Sequence, residues 1–302
     1  MVTRYISANA SEINKMTADE LRESIKASAG RVICSEIIGG MSPIIGDITN
    51  AEVATAYGAD LILLNGFDCF EPFMFGMPKG TEPKDLIRRL RELTGRSVGV
   101  NLEPIPEGVA IMGEKVEISN GRQCNPASLQ AASELGFDFI CLTGNPGTGV
   151  TNEAILNGII EAKKHFTGLV IAGKMHNAGV DEPVVSMETT KAFVEAGADI
   201  ILMPAVGTIP GFSEAELAEA VKYAHENDAL VMSAIGTSQE SADLETIRRI
   251  ALMNKIAGVD IQHIGDGGYV AGVATLENIY ATSVVIRGLR HTMSRISRSA
   301  RR

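Results

Sequence analysis

At 302 residues, with 45% hydrophobic and 21% charged residues, the chain has the balance of a globular protein with a sizeable core, which excludes a disordered or fibrous chain. Its net charge of −10 is uneven: six Arg and no Lys, Asp or Glu follow Glu277, and taking these six away leaves −16 on the preceding residues, an acidic body that argues against nucleic acid. The longest uncharged stretches, 139–152 and 200–213, contain Gly, Pro, Asn and Thr and fall short of the roughly 18 residues a membrane span needs.

The first residues show neither an apolar signal core nor a small-residue cleavage site, so a cytoplasmic protein is expected. Thr17, with Asp19 and Glu20 in the following turn, caps a first helix. Eight short apolar or β-branched runs then follow at 31–38, 61–66, 97–102, 139–143, 169–174, 200–204, 230–235 and 259–264. An amphipathic stretch follows each, led in turn by Asn50, Glu82, Asn125, Thr151, Ser186, Ser213, Ser241 and Thr275. Several helices end in a Gly-x-Asp step, as at Gly58-Ala59-Asp60, Gly197-Ala198-Asp199 and Gly258-Val259-Asp260. Eight βα units in about 250 residues predict a single (β/α)8 TIM-barrel domain over 1–302. Residues 1–30 form an N-terminal extension and helix that covers the barrel's bottom, 31–302 the barrel, and the chain ends in a long helix. Cys34, Cys69, Cys124 and Cys141 are widely spaced without a C-x-x-C pair and are expected as reduced thiols. The terminal Arg287, Arg290, Arg295, Arg298, Arg301 and Arg302 are expected on a solvated or oligomer-contacting helix end, and the chain as a homo-oligomer.

Chemistry in such barrels sits at the carboxyl ends of the strands, so the polar residues there are the candidates. Strand one ends at Ser35-Glu36, strand two at Asn65-Gly66-Phe67-Asp68 and strand eight at His263. On strand three Val98, Val100 and Leu102 alternate with Gly99, Asn101 and Glu103, which points Asn101 and Glu103 into the barrel. On strand five the two-residue step places Lys174 and His176 on one side: a lysine there grips an anion or forms an imine, and the histidine shuttles a proton. Carboxylates around the mouth leave room for a divalent metal, with no spacing that fixes its ligands, although a site that needs no cofactor is favoured.

Gly236-Thr237-Ser238 after strand seven and Gly265-Asp266-Gly267-Gly268 after strand eight stand where barrels often bind phosphate through backbone N–H groups, although Asp266 opposes an anion. The turn from Gly144 to Thr151 imitates a P-loop with Val150 in place of the phosphate-gripping lysine, so ATP is not expected, while Asn145 remains a candidate for holding one substrate group. The segment from Glu103 to Asn125 is long for a βα loop. Its alternation around Gly113 predicts a small hairpin acting as a lid.

Residues 58–68, Gly-Ala-Asp-Leu-Ile-Leu-Leu-Asn-Gly-Phe-Asp, followed by Val98-Gly99-Val100-Asn101, resemble the early strands of BtpA-type barrels and, more distantly, the phosphoenolpyruvate mutase and isocitrate lyase superfamily. The resemblance covers strands two to four. It implies a small phosphate- or carboxylate-bearing substrate and lyase or isomerase chemistry. The mutase-type enzymes carry an Asp-rich magnesium site at the end of strand three, where this chain has Asn101-Leu102-Glu103.

The combined expectation is an enzyme that moves a proton at carbon in a small anionic metabolite, by enolisation or C–C cleavage, with no nucleic-acid or membrane partner. Lys174, Glu103, His176 and His263 are its catalytic candidates. Glu36, Asn65, Asp68, Asn101, Asn145, the Gly236–Ser238 turn and the Gly265–Gly268 turn are its binding candidates. A non-catalytic metabolite-binding regulator and a flavin-dependent barrel oxidoreductase are the alternatives.

Overall fold

The computed structural model describes residues 2–106 and 108–302; Met1 and Glu107, which fall in the expected N-terminal extension and lid, lie outside the described residues. A short 3-10 turn at Tyr5–Ser7 and two helices, α1 (Ala10–Ile13) and α2 (Ala18–Lys26), precede the barrel. Thr17 caps α2 as expected, its hydroxyl accepting from Glu20 N while Glu20 reaches back to Thr17 N. The strands are β1 (Val32–Ile38), β2 (Leu61–Asn65), β3 (Ser97–Leu102), β4 (Phe139–Leu142), β5 (Leu169–Gly173), β6 (Ile200–Pro204), β7 (Leu230–Ile235) and β8 (Ile261–Ile264). They pair in parallel, each with the next and β8 with β1, as a closed barrel. Around it run α3 (Asn50–Ala56), α4 (Leu86–Thr94), α5 (Pro126–Leu135), α6 (Asn152–His165), α7 (Met187–Glu195), α8 (Glu214–Glu226), α9 (Leu244–Ala257) and α10 (Leu276–Ile296). This is the TIM barrel the alternation predicted, with the long last helix broken at Gly288. No described helix is long and apolar enough to cross a membrane.

Two cores follow from strand alternation. Outward residues such as Ile62, Leu64, Val98, Val100, Ile140 and Leu142 pack against the helices. Inward residues such as Val32, Cys34, Leu61, Leu63, Phe139, Ile171 and Met232 fill the barrel, with Tyr5, Ile6, Ile13, Leu21 and Ile25 closing its floor. Gly99 is an inward position with no room for more: a Cβ there would lie 2.2 Å from the Phe139 ring. Gly99→Ala is therefore expected to destabilise the fold by about 1–3 kcal/mol through overpacking, read as a lowered urea midpoint.

The Gly-x-Asp steps do more than end helices. Asp60, Asp138, Asp199 and Asp260 each donate their backbone N–H to a carbonyl near the start of the preceding odd-numbered strand, at Ile33, Val98, Val170 and Val231. Each carboxylate accepts the N–H of that same residue, at 2.8–2.9 Å. The aspartates thus tie β1 to β2, β3 to β4, β5 to β6 and β7 to β8 at the floor, where the strands' first N–H groups would otherwise lack partners.

At Asp60 this floor becomes an ion cluster. Arg287 donates to its Oδ2 at 2.5 Å and Arg295 to its Oδ1 at 2.7 Å, all three side chains fully buried. Arg295 also donates to Ala8 O, and Arg96 donates to Arg295 O and Ala59 O. Arg287 and Arg295 are therefore not on the solvated helix end expected from the sequence: α10 folds under the barrel, and they supply the charge that a buried Asp60 needs.

Candidate active site

Inward-facing positions change from apolar to polar as each strand rises. On β1 Val32 and Cys34 give way to Glu36; on β2 Leu61 and Leu63 give way to Asn65; on β3 Gly99 gives way to Asn101 and Glu103; on β4 Phe139 and Cys141 give way to Thr143. Together with the β7 and β8 loops they enclose a cavity of about 530 Å³ at the carboxyl end of the barrel. Glu36, Asn65, Asn101, Asn145, His176, Asp266 and the Gly236, Thr237, Ser238 and Gly265 positions all line it, as expected. Thr143, Met175, Asn177 and Glu240 line it as well; of these Thr143 was readable as the next inward position on β4, while Glu240 lies in a loop with no periodicity to mark it.

Six candidates do not line the cavity: Lys174, Glu103, His263, Asp68, and Gly267 and Gly268, which pack against Glu240 and residues 273–275. Lys174 continues the outward set of Val170 and Ala172, so its Nζ lies between the barrel and α7, 2.5 Å from Glu182 Oε1, and not in the cavity. Burial holds its pKa down and the Glu182 charge pulls it back up. Met175 continues the inward set of Leu169 and Ile171, and a bend at Met175 and His176 carries His176 to the cavity as well, so the two-residue step expected to unite Lys174 with His176 fails. Glu103 points inward as expected, but its oxygens are occupied: they accept from Asn145 N and Nδ2, both at 2.8 Å, and from Arg122 at 3.1 Å. It holds Asn145 in place. His263 lies fully buried beneath the cavity, Nε2 3.1 Å from Glu36 Oε2 without hydrogen-bond alignment, so both ring nitrogens lack a partner. Asp68 accepts the N–H groups of Phe70 and Glu71 and packs under Gly121, which organises the β2 loop outside the cavity.

The remaining polar groups form a connected ring. Asn101 Nδ2 donates to Glu36 Oε1 at 2.5 Å, leaving Asn101 Oδ1 buried without a partner. Asn65 Nδ2 donates to Asp266 Oδ2 and to Asn145 Oδ1, both at 2.9 Å, and Asn145 Nδ2 returns a bond to Asn65 Oδ1 at 3.0 Å. Burial, and then the Glu36 charge, push the Asp266 carboxyl up to about 6 against the opposing Asn65 bond. His176 Nδ1 accepts from Ala178 N at 3.0 Å, which leaves the ring proton of the neutral imidazole on Nε2. Burial holds its pKa down, with the Glu36 charge opposing, so the ring is neutral at pH 7. No lysine or arginine lines this cavity among the described residues.

The segment after Glu103 reaches over the cavity, as expected of a lid, but without the expected hairpin. Its Met112 N donates to Gly179 O and its Val116 N to Gly147 O, so it binds the neighbouring turns instead of folding on itself. Met112 lines the cavity from above.

A divalent metal fits this arrangement poorly. Glu103, at the end of strand three, is occupied by Asn145 and Arg122, and no group of three or more His, Cys, Asp or Glu among the described residues is placed to hold an ion.

Barrel closure and a polar cavity at the carboxyl ends define a TIM barrel built as the enzymes of that fold are built. The chain belongs to the DUF7916 family, a domain of unknown function, which it matches over residues 6–302. No curated protein matches its sequence. Among solved structures it is similar to an archaeal fructose 1,6-bisphosphate aldolase, with 16% identity, 86% of this chain and 95% of that chain covered and a TM-score of 0.53. It is also similar to the Amycolatopsis orientalis BexX/CysO complex, with 14% identity, 89% and 91% covered and a TM-score of 0.51. A phosphonopyruvate hydrolase in complex with oxalate and Mg++ aligns at 15% identity, 83% and 81% covered and a TM-score of 0.47. At these identities the likeness is one of fold.

Proposed function

We propose that the protein is an enzyme of lyase or isomerase type that moves a proton at carbon in a small polar carbonyl metabolite held under the 103–125 lid. The observation that carries this reading is Asp266, a partly buried carboxyl pushed up to about 6 in the wall of the cavity and oriented by Asn65. A base of that pKa is mostly deprotonated at neutral pH and still strong enough to take a proton. His176 offers Nε2–H to the substrate carbonyl oxygen. When Asp266 takes the proton from the adjacent carbon, the C–H electron pair moves into the enolate, and the imidazole N–H stabilises the charge on its oxygen. Return of the proton to the neighbouring carbon, with the hydroxyl proton of the first carbon passing to the carbonyl oxygen, gives isomerisation; in retro-aldol cleavage Asp266 would take the proton of the β-hydroxyl, the C–C bond would break into an aldehyde and an enolate, and the His176 N–H would stabilise that enolate. The likeness of β2 and β3 to BtpA-type barrels is in keeping with this class of barrel. The lysine-bound imine loses its support, because the Lys174 amine lies behind the strand on Glu182.

The test is deuterium exchange at carbon, followed by proton NMR over a panel of small aldoses, ketoses and keto acids in deuterated buffer. The wild type is expected to exchange one class of substrate, and Asp266→Asn to lose that exchange. Borohydride reduction with the same panel should leave Lys174 unmodified by intact mass, and Lys174→Met should keep exchange wherever it folds. Binding without exchange for any compound would favour the regulator, and an adduct on Lys174 would restore the imine.

A further inference from the structure

We propose that the Glu240 carboxylate occupies the anion cradle between the β7 and β8 ends, so that the group a substrate seats there is not a phosphate but a hydrogen-bond donor. This rests on the mouth being the substrate site and adds the substrate's chemical class. Barrels commonly hold a phosphate at this place through backbone N–H groups. Here Thr237 and Ser238 adopt φ of 59° and 73°, a conformation that side-chain-bearing residues rarely take. The Glu240 side chain springs from the short 3-10 turn Gln239–Ser241 that follows them. From the other side the β8 turn closes on it: a Cβ at Gly267 would lie 2.6 Å from Glu240 Oε1, and one at Gly265 3.5 Å from its carboxyl carbon. Asn278 Nδ2 anchors the Glu240 carbonyl at 2.9 Å, which fixes the side chain's origin.

Glu240 is only 9% exposed, lines the cavity, and keeps Oε2 without any hydrogen-bond partner. A buried unpaired carboxylate oxygen is costly unless a ligand supplies the donor. Asp266 and Glu36 share the cavity, and no described lysine or arginine lines it to offset them. A phosphate would meet carboxylates of its own sign in a site of low dielectric, whereas a hydroxyl or an ammonium would satisfy Oε2.

The experiment titrates inorganic phosphate into the full-length wild type, Glu240→Ala and Glu240→Gln at about pH 8, well above the ordinary carboxylate range because burial raises the Glu240 carboxyl. Phosphorus NMR line width reports binding, and circular dichroism confirms the fold. The wild type is expected to show no saturable binding. The folded variants should bind phosphate at least about tenfold more tightly, as removal of a like charge from the cradle requires. Glu240→Gln preserves shape and charges nothing, so it carries the test if the smaller residue does not fold. Phosphate binding by the wild type at the variants' affinity, or its absence from a folded Glu240→Gln, would overturn the proposal. Neither readout needs turnover. Loss of the acid–base reading through an active Asp266→Asn would leave the phosphate titration to decide this one.

Discussion

Asp60→Ala is expected to lower stability by about 3–5 kcal/mol, the usual cost of leaving buried charges without their partner. Arg287 and Arg295 both end on this carboxylate with no solvent exposure, and Arg96 and Tyr5 are packed beside them. The same change also frees the Ile33 N–H at the start of β1. For a chain of this size the loss corresponds to a Tm decrease on the order of 10 °C, measured by scanning calorimetry. Asp199→Ala is the control. It removes the equivalent tie to Val170, but its cation, Lys163, is substantially solvated, so the expected cost is about 1–2 kcal/mol. The pH dependence has a definite sign. Burial pushes the Asp60 carboxyl up, but the charges of Arg287, Arg295 and Arg96 outweigh it and the native pKa lies below the ordinary value. Its contribution is then present above about pH 4, where the unfolded carboxyl is ionised, and is lost as pH falls through the native pKa. Asp60→Ala should therefore remove part of the wild type's acid-induced destabilisation while lowering stability at neutral pH.

The sequence carried the barrel because the barrel is made by local rules. Eight apolar runs, cap residues such as Thr17, Thr151, Ser186 and Ser213, and the Gly-x-Asp steps all act within a few residues of where they stand. The inward direction of Asn101 and Glu103 was readable for the same reason, since alternation holds while the strand stays regular. On strand five the same alternation puts Lys174 outward with Val170 and Ala172, so facing it inward took the wrong phase, and His176 reaches the cavity only because the chain bends past the last strand residue, Gly173. Partnerships across the chain left no local mark. Asp60 and Arg287 are 227 residues apart, and nothing near either one announces a buried pair. Glu103 was legible as an acid in the mouth, but its engagement by Asn145 and Arg122 depends on how the β3 and β4 loops meet in space. Glu240 is the extreme case, a loop glutamate made distinctive only by the glycines of another turn closing on it.

Asp266→Asn is expected to lower kcat by about 10²–10⁴-fold on whatever substrate the exchange assay identifies, the range that a positioned acid–base group supplies. The pH profile separates this role from a structural one. Wild-type kcat/KM should rise through about pH 6 as Asp266 loses its proton, because the base is the ionised form. Two substitutions that leave Asp266 in place should move that limb in opposite directions. Asn65→Ala removes the donor to Oδ2 and stabilises the protonated form, so the limb shifts to higher pH. Glu240→Gln removes a neighbouring negative charge, so the limb shifts to lower pH. A merely structural Asp266 would give lower rates without these opposed shifts. Stability supplies an independent sign. A carboxyl whose native pKa is raised keeps a proton that the unfolded chain has released, so its contribution to stability falls as pH rises from about 4 to about 6 and stays low above that. Asp266→Asn does not ionise and escapes that loss. It should unfold at a higher temperature than the wild type at pH 8 while showing less turnover there, the pattern expected when a group is held against its preferred charge state for the sake of chemistry. An Asp266→Asn protein that is both less stable and equally active at that pH would refute the assignment.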